Sequence, residues 1–225
     1  PAQLLCDSIC RSLEAAKITV KNKHIKPEDL QDTLLVVDHR SPVHTRIVGS
    51  LLERSDNMFT EALLRAIARN DGKEATAANG MAAVKRLWES KGIDTTPLFQ
   101  RDGSGLARNG KATARFFAQM LRQANVDSVA TGVRLASLMT HLGVNGNIGS
   151  RIKNSPLKGK IASKSGSMGD VQCYVGYFPA DCPKYTWAVL VNNWQGSRSH
   201  LKDEIETLLL NLFTQHKGES RPADE

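Results

Sequence analysis

No stretch of this 225-residue chain stays apolar for more than about five positions, as in Trp187–Val191. A membrane-spanning helix needs ~20 such residues, so no span of that kind is encoded. Aromatic residues make up only 5% of the chain, and the cysteines number four: Cys6, Cys10, Cys173 and Cys182. No CxxC pair occurs, which argues against a zinc ribbon or a thioredoxin-type site. Four cysteines allow two disulfides in three connectivities, or none. Cys6 and Cys10, four apart in a helical pattern, have poor bridging geometry. There is no HExxH helix for zinc and no GxSxG nucleophile elbow. The six histidines form no metal-ligand spacing. No basic and apolar leader follows Pro1. A leader removed earlier and a piece of a longer chain both fit that start.

What is present describes a globular chain. Hydrophobic residues make up 40% and charged residues 24%, which excludes disordered and low-complexity classes. The length fits one domain, or two small ones, with a core that needs no staples. Thirty Lys and Arg against 23 Asp and Glu leave +7. That balance favours anionic partners such as nucleic acid, membrane surfaces or wall polymers. One basic stretch lacks acids: Arg151, Lys153, Lys158, Lys160 and Lys164. It reads first as a solvated loop. No aromatics interleave it, so a stacking platform for single strands is disfavoured.

Periodicity sets out the elements. Leu5, Ile9 and Leu13 predict a helix over 2–16. A short strand is expected at Leu34–Asp38 and a short helix at Val48–Leu52. Met58–Arg69 is a clearer helix, with Phe59, Leu63 and Ile67 on one face and Glu61–Arg65 as an i,i+4 pair. Helices follow at 79–91, stopped by Gly92, at 113–124, and at 130–142. Arg101–Gly105 reads as a turn, and Gly143–Gly149 as a loop. Then Lys160–Ser167, Val171–Phe178 and Tyr185–Asn193 read as strands, the last two as a hairpin. Leu201, Ile205, Leu208, Leu209 and Leu212 mark a closing helix that Ser199 can cap. Helices, then a strand meander, then a helix is an α+β order, with helix covering an antiparallel sheet.

Gly105–Ala112 approaches a phosphate-binding loop, but Ala112 stands where a magnesium-holding hydroxyl belongs. It reads as a coincidental glycine-rich turn. Two other strings matter more. Ser55-Asp56-Asn57 precedes the Met58 helix, and Lys164-Ser165-Gly166-Ser167 lies on the first strand of the meander. Each alone is weak, because Ser-Asp-Asn is also a good helix cap. In this order they match two of the three elements S-x-x-K, S-D-N and K-T-G of the penicillin-recognising serine enzymes.

The flanking residues extend the match. Ser55–Leu64, Arg101–Arg108, Ile161–Gly169 and the upstream His39–Val43 together resemble the class C low-molecular-mass penicillin-binding proteins. These are D-alanyl-D-alanine carboxypeptidases and endopeptidases of the penicillin-binding protein 4 type. The resemblance runs from about residue 4 to residue 214. It implies the transpeptidase-like α+β fold of serine β-lactamases, an antiparallel sheet with helices on both faces. It implies acyl transfer from peptidoglycan stem peptides ending in D-Ala-D-Ala, and acylation by β-lactams. Ser55 would relay a proton toward the leaving amine. Asn57 would hold the substrate's peptide group. Lys164 would supply a cation near the reacting serine and the terminal carboxylate. Ser165 and Ser167 would offer hydroxyls to that carboxylate, and the Ser167 N–H would form half of an oxyanion hole. Gly166 would let the substrate lie along the strand edge. Asp56 is expected to support the loop, and Asp102–Arg108 to be a scaffold turn. No metal, organic cofactor, nucleic acid or membrane span is implied. The setting implied is periplasm or cell envelope.

Two departures stand out. Ser165 replaces the more usual Thr, keeping the hydroxyl. The nucleophile element is out of order: no S-x-x-K precedes Ser55. The strings at Ser150…Lys153, Ser155…Lys158 and Ser199…Lys202 all come after it. The expectation is that residues 1–225 are the C-terminal part of one such domain. A companion N-terminal segment would then carry the nucleophile. Two rivals differ in class: a non-catalytic wall-binding or scaffold relative, and a basic nucleic-acid-binding module whose affinity falls steeply with salt.

Overall fold

A computed structural model describes residues 2–21, 23, 40–145 and 151–215. The expected strand at 34–38 and the tail after Lys217 lie outside these residues, as do positions 146–150 of the glycine-rich loop. The chain separates into two compact units, Pro1–Ser41 and Pro42–Glu225.

The first unit holds helix α1 (Ala2–Ala15). The predicted face is not its buried one: Leu5 and Ile9 are exposed, while Cys10 is buried. Cys6 Sγ donates to the Lys23 carbonyl at 3.6 Å, and Lys23 pairs with Glu14. All four cysteines of the chain are free thiols.

The second unit opens with α2 (His44–Arg54), α3 (Asn57–Asn70) and α4 (Ala77–Ser90). Side-chain oxygens cap three helices. Asp56 accepts from Phe59 N at 2.9 Å, Thr76 from Asn79 N at 3.2 Å, and Thr113 from Phe116 N at 3.2 Å. Each such cap stabilises by about 1 kcal/mol. On α3 the buried residues are Leu64 and Ala68, whereas Phe59 and Ile67 of the predicted stripe are exposed. Gly80 explains why Leu64 wins. A Cβ at Gly80 would lie 2.2 Å from the Leu64 carbonyl oxygen, so only glycine lets α4 approach α3 this closely.

Helix α5 (Ala114–Thr131) runs seven residues past the predicted end at 124, and stops at Gly132 with φ 68°. The helix expected over 130–142 is therefore absent. In its place stand the four-residue α6 (Leu135–Leu138) and strand β1 (Thr140–His141). Tertiary pairing overrides the local pattern here, because Thr140 and His141 find strand partners in Ser163 and Ala162.

The meander is as predicted to within two residues: β2 (Ala162–Met168), β3 (Val171–Phe178) and β4 (Tyr185–Asn192). The sheet order is β1-β2-β3-β4, antiparallel throughout. Alternation along β3 assigns its two faces. Tyr174 and Phe178 join Trp187 in a core with Ile205, Leu209 and Phe213 of α7 (Arg198–Gln215). Tyr177 and Val175 face the other way, packing with Leu121 of α5. Tyr177 Oη donates to the Leu121 carbonyl at 2.8 Å, and Thr186 Oγ1 to that of Ala118 at 3.1 Å. Helices thus cover both faces of the sheet. Helix α7 begins at Arg198, one residue before the expected cap, and Leu201 N bonds to the Ser197 carbonyl at 3.1 Å. Its buried apolar stripe is Ile205, Leu209 and Phe213, leaving Leu208 and Leu212 exposed.

Candidate active site

Ser55 is the junction between α2 and α3. It adopts the left-handed conformation, φ 54° and ψ 49°, which ends α2. A side chain tolerates that region poorly, at a cost of about 1–2 kcal/mol. The turn is held from both sides. The Asp56 N–H donates to the Leu51 carbonyl at 3.2 Å, while the Asp56 carboxylate starts α3. Asp56 thus bonds to the end of α2 through its N–H and to the start of α3 through its carboxylate. Asn57 is the first residue of α3, and its side chain is exposed beside Ser55 in the chain.

Lys164 reaches this junction from the sheet. It pairs with Val175, so its side chain leaves β2 on the face that carries Tyr177 and α5. Its Nζ donates to Ser55 Oγ, and to the Ser165 carbonyl at 2.6 Å. Half-burial lowers its pKa from the ordinary lysine value, because desolvation penalises the ammonium form.

Backbone direction along β2 decides what the edge can bind. Leu142 N donates to the Ile161 carbonyl at 2.9 Å, and Thr140 Oγ1 to the Ser163 carbonyl at 2.6 Å. Residues 161 and 163 therefore aim their backbone groups toward β1. By alternation, Ser165 and Ser167 aim theirs the same way. Strand β1 ends its pairing at Ser163, so among the described residues Lys164–Met168 has no strand on that side. The Ser165 and Ser167 backbone groups face an open edge, the template for an added extended peptide. Gly166 lies on the Lys164 face. A Cβ there would meet only Cys173 Cβ at 3.9 Å, an ordinary contact. Among the described residues, no contact requires glycine at this position.

Residues 101–108 are tied to α3 one turn after Asn57. Glu61 Oε1 accepts from Gly103 N at 2.9 Å and Ser104 N at 3.0 Å. Asp102 accepts from Gly105 N at 2.6 Å and Ala107 N at 2.7 Å. A Cβ at Gly103 would sit 2.7 Å from the Thr60 carbonyl oxygen, so the loop lies directly on α3. The predicted Glu61–Arg65 pair is present at 3.4 Å, but the loop contact of Glu61 left no local signal. Of the downstream S-x-x-K serines, Ser155 is absorbed in a turn, accepting from Leu157 N at 3.1 Å. Ser199 lies in the first turn of α7, and Ser150 lies outside the described residues. No cluster of metal-ligating side chains forms among the described residues, and no described helix is long and apolar enough to cross a membrane.

The helical lobe, the antiparallel sheet covered on both faces and the lysine on an open strand edge define the penicillin-binding fold. A solved structure of penicillin binding protein 4 from Haemophilus influenzae, complexed with a β-lactam, superposes with a TM-score of 0.65 at 24% identity, covering 74% of this chain and 41% of that one. Among curated proteins, a D-alanyl-D-alanine carboxypeptidase from Actinomadura is 26% identical over 203 residues, which is 87% of this chain and 38% of that protein. One from Haemophilus influenzae is 28% identical over 172 residues, 75% of this chain and 36% of that protein. This chain thus spans well under half the length of these relatives. The model of the D-Ala-D-Ala carboxypeptidase 3 (S13) family matches residues 1–212, and the chain belongs to that family.

Proposed function

We propose that this chain forms the C-terminal part of the transpeptidase-like domain of a serine-type D-Ala-D-Ala carboxypeptidase and endopeptidase. It acts on peptidoglycan stem peptides in the periplasm or cell envelope and is acylated by β-lactams. The observation that carries this reading is the Lys164–Ser55 hydrogen bond beside the open edge of β2. A companion N-terminal segment supplies the nucleophilic serine and its lysine, as the order of the S-x-x-K strings suggests.

The reaction then runs in two steps. The nucleophile's oxygen bonds to the penultimate residue's carbonyl carbon, and the carbon–nitrogen bond to the terminal D-Ala breaks. The serine proton travels through the Ser55 hydroxyl to the leaving amine, with the Lys164 ammonium keeping that path positively charged. The Ser167 N–H, aimed at the open edge, stabilises the oxyanion. One such donor is worth ~100–1,000-fold in rate. Asn57 holds the substrate amide, and Ser165 and Ser167 receive the carboxylate. Water then displaces the serine from the acyl ester.

Intact mass after mixing the complete protein with a β-lactam, read on every chain present, tests this. An adduct on an N-terminal companion is expected. An adduct on this chain would overturn the placing of the nucleophile. No adduct anywhere would overturn the enzymatic reading and leave the scaffold alternative.

A further inference from the structure

Arg198 opens α7. Its guanidinium donates to Ser167 Oγ at 2.8 Å and to the Gly169 carbonyl at 2.7 Å. It also lies 5.5 Å from the centre of the Trp194 ring, over its face. These partners are all neutral. None of the ion pairs among the described residues includes Arg198. The position is electrostatically poor for a cation, because the first turn of an 18-residue helix already carries partial positive charge. An exposed arginine there, fastened to a strand rather than to a carboxylate, creates an unmet demand for an anion.

The chemistry at Ser167 says where that anion sits. A serine hydroxyl has one proton and two lone pairs. The Arg198 N–H occupies a lone pair, so the Ser167 proton is left to donate to a further acceptor. Two of the five guanidinium donors are engaged by Ser167 and Gly169, and the others keep the flat geometry that suits a carboxylate. Ser165 shares this face of β2, pairing with Tyr174 as Ser167 pairs with Gln172. The hydroxyls and the guanidinium form one anion-accepting corner at the end of the open edge.

We infer that Arg198 is a specificity-determining residue that selects ligands with a free carboxylate, acting directly and through Ser167. The inference rests on the function proposed above. It adds a residue outside the Ser-Asp-Asn and Lys-Ser-Gly strings.

The test uses the complete protein and two β-lactams identical except that one carries the free carboxylate and the other its methyl ester. Acylation rates are resolved into initial binding and the acylation step. The unaltered protein prefers the carboxylate. Arg198→Ala and Arg198→Gln are each expected to weaken initial binding of the carboxylate form by about 10–100-fold, the worth of one charge-assisted contact. The ester should change less than about 3-fold, so the preference collapses. Arg198→Lys, which keeps charge but not the fork, should fall between. Equal losses on both compounds would show a merely structural role and overturn the inference. So would a preference that survives the substitutions. Failure of the unaltered protein to react with either compound would overturn the proposed function, and this inference with it.

Discussion

Lys164 donates a hydrogen bond to the Ser55 hydroxyl across 109 positions of sequence, joining the helical lobe to the sheet. The lysine is half-buried and its pKa is lowered by that burial. Catalysis and stability should therefore respond to alkali with opposite signs. The proposed role needs the ammonium, so acylation should fall as pH rises through the lowered pKa, earlier than an ordinary lysine would dictate. The fold carries a penalty for holding the ammonium. That penalty is full below the folded pKa and is relieved between it and the unfolded value, so this group's contribution to stability rises there. Acylation rate and thermal midpoint, each followed against pH, check both signs. Lys164→Ala should lower acylation by orders of magnitude and remove the alkaline limb. An unchanged rate would exclude Lys164 from the chemistry.

Ser55 occupies a left-handed backbone position that suits glycine better. Ser55→Gly should raise stability by up to about 1 kcal/mol by relieving that conformation. It should also lower acylation as strongly as Ser55→Ala, because both remove the hydroxyl. Denaturant unfolding and β-lactam labelling of the same two variants separate the effects. A Ser55→Gly protein that labels normally would end the proton-relay role.

The two strings of the candidate site were legible because each is contiguous, Ser55–Asn57 at the start of α3 and Lys164–Ser167 within β2. The last two strands of the meander were legible as a hairpin, two β-rich runs joined by Pro179–Lys184. Longer-range facts were not. Helix α3 has one apolar stripe at Phe59, Leu63 and Ile67 and another at Leu64 and Ala68. Only the close approach allowed by Gly80 decides between them. The 130–142 segment has helical composition, but Gly132 and the pairing of Thr140 with Ser163 break it. Arg198 reads as an ordinary surface cation until the fold brings it to Ser167.

Two strand glycines should respond in contrasting ways to the same substitution. At Gly176 a Cβ would lie 1.9 Å from the Ala162 carbonyl oxygen. Gly176→Ala must therefore displace β2 from β3 and should prevent folding or lower the midpoint sharply. At Gly166 a Cβ would meet, among the described residues, Cys173 Cβ at 3.9 Å, an ordinary contact, so Gly166→Ala should leave the melting temperature near its starting value. Its methyl would stand on the Lys164 face, where the proposed substrate lies along the edge. Acylation should drop by about 10-fold or more, the scale of one steric misfit. Retained acylation in a folded Gly166→Ala protein would move the substrate off this edge.

Glu61 supplies the last test, because it separates loop positioning from chemistry. Burial pushes its carboxyl up, but the Gly103 and Ser104 N–H groups, the Ser104 hydroxyl and Arg65 outweigh that and hold it below the usual carboxylate range. A depressed carboxylate contributes stability that is fully present above its unfolded pKa and is lost as pH falls through the folded value. Acid should thus release residues 101–108 from α3 before it disturbs the sheet. Hydrogen exchange at the Gly103 and Ser104 amides reads this directly, and protection there should fall on acidification in step with Glu61. Glu61→Gln keeps an acceptor oxygen but not the charge, and should weaken the protection and flatten its pH dependence. Arg65 would lose its partner in the same variant, at a cost near the few tenths of a kcal/mol typical of exposed i,i+4 pairs. Protection that is independent of pH in the unaltered protein would show that Asp102 and the loop's own hydrogen bonds, not Glu61, keep it in place.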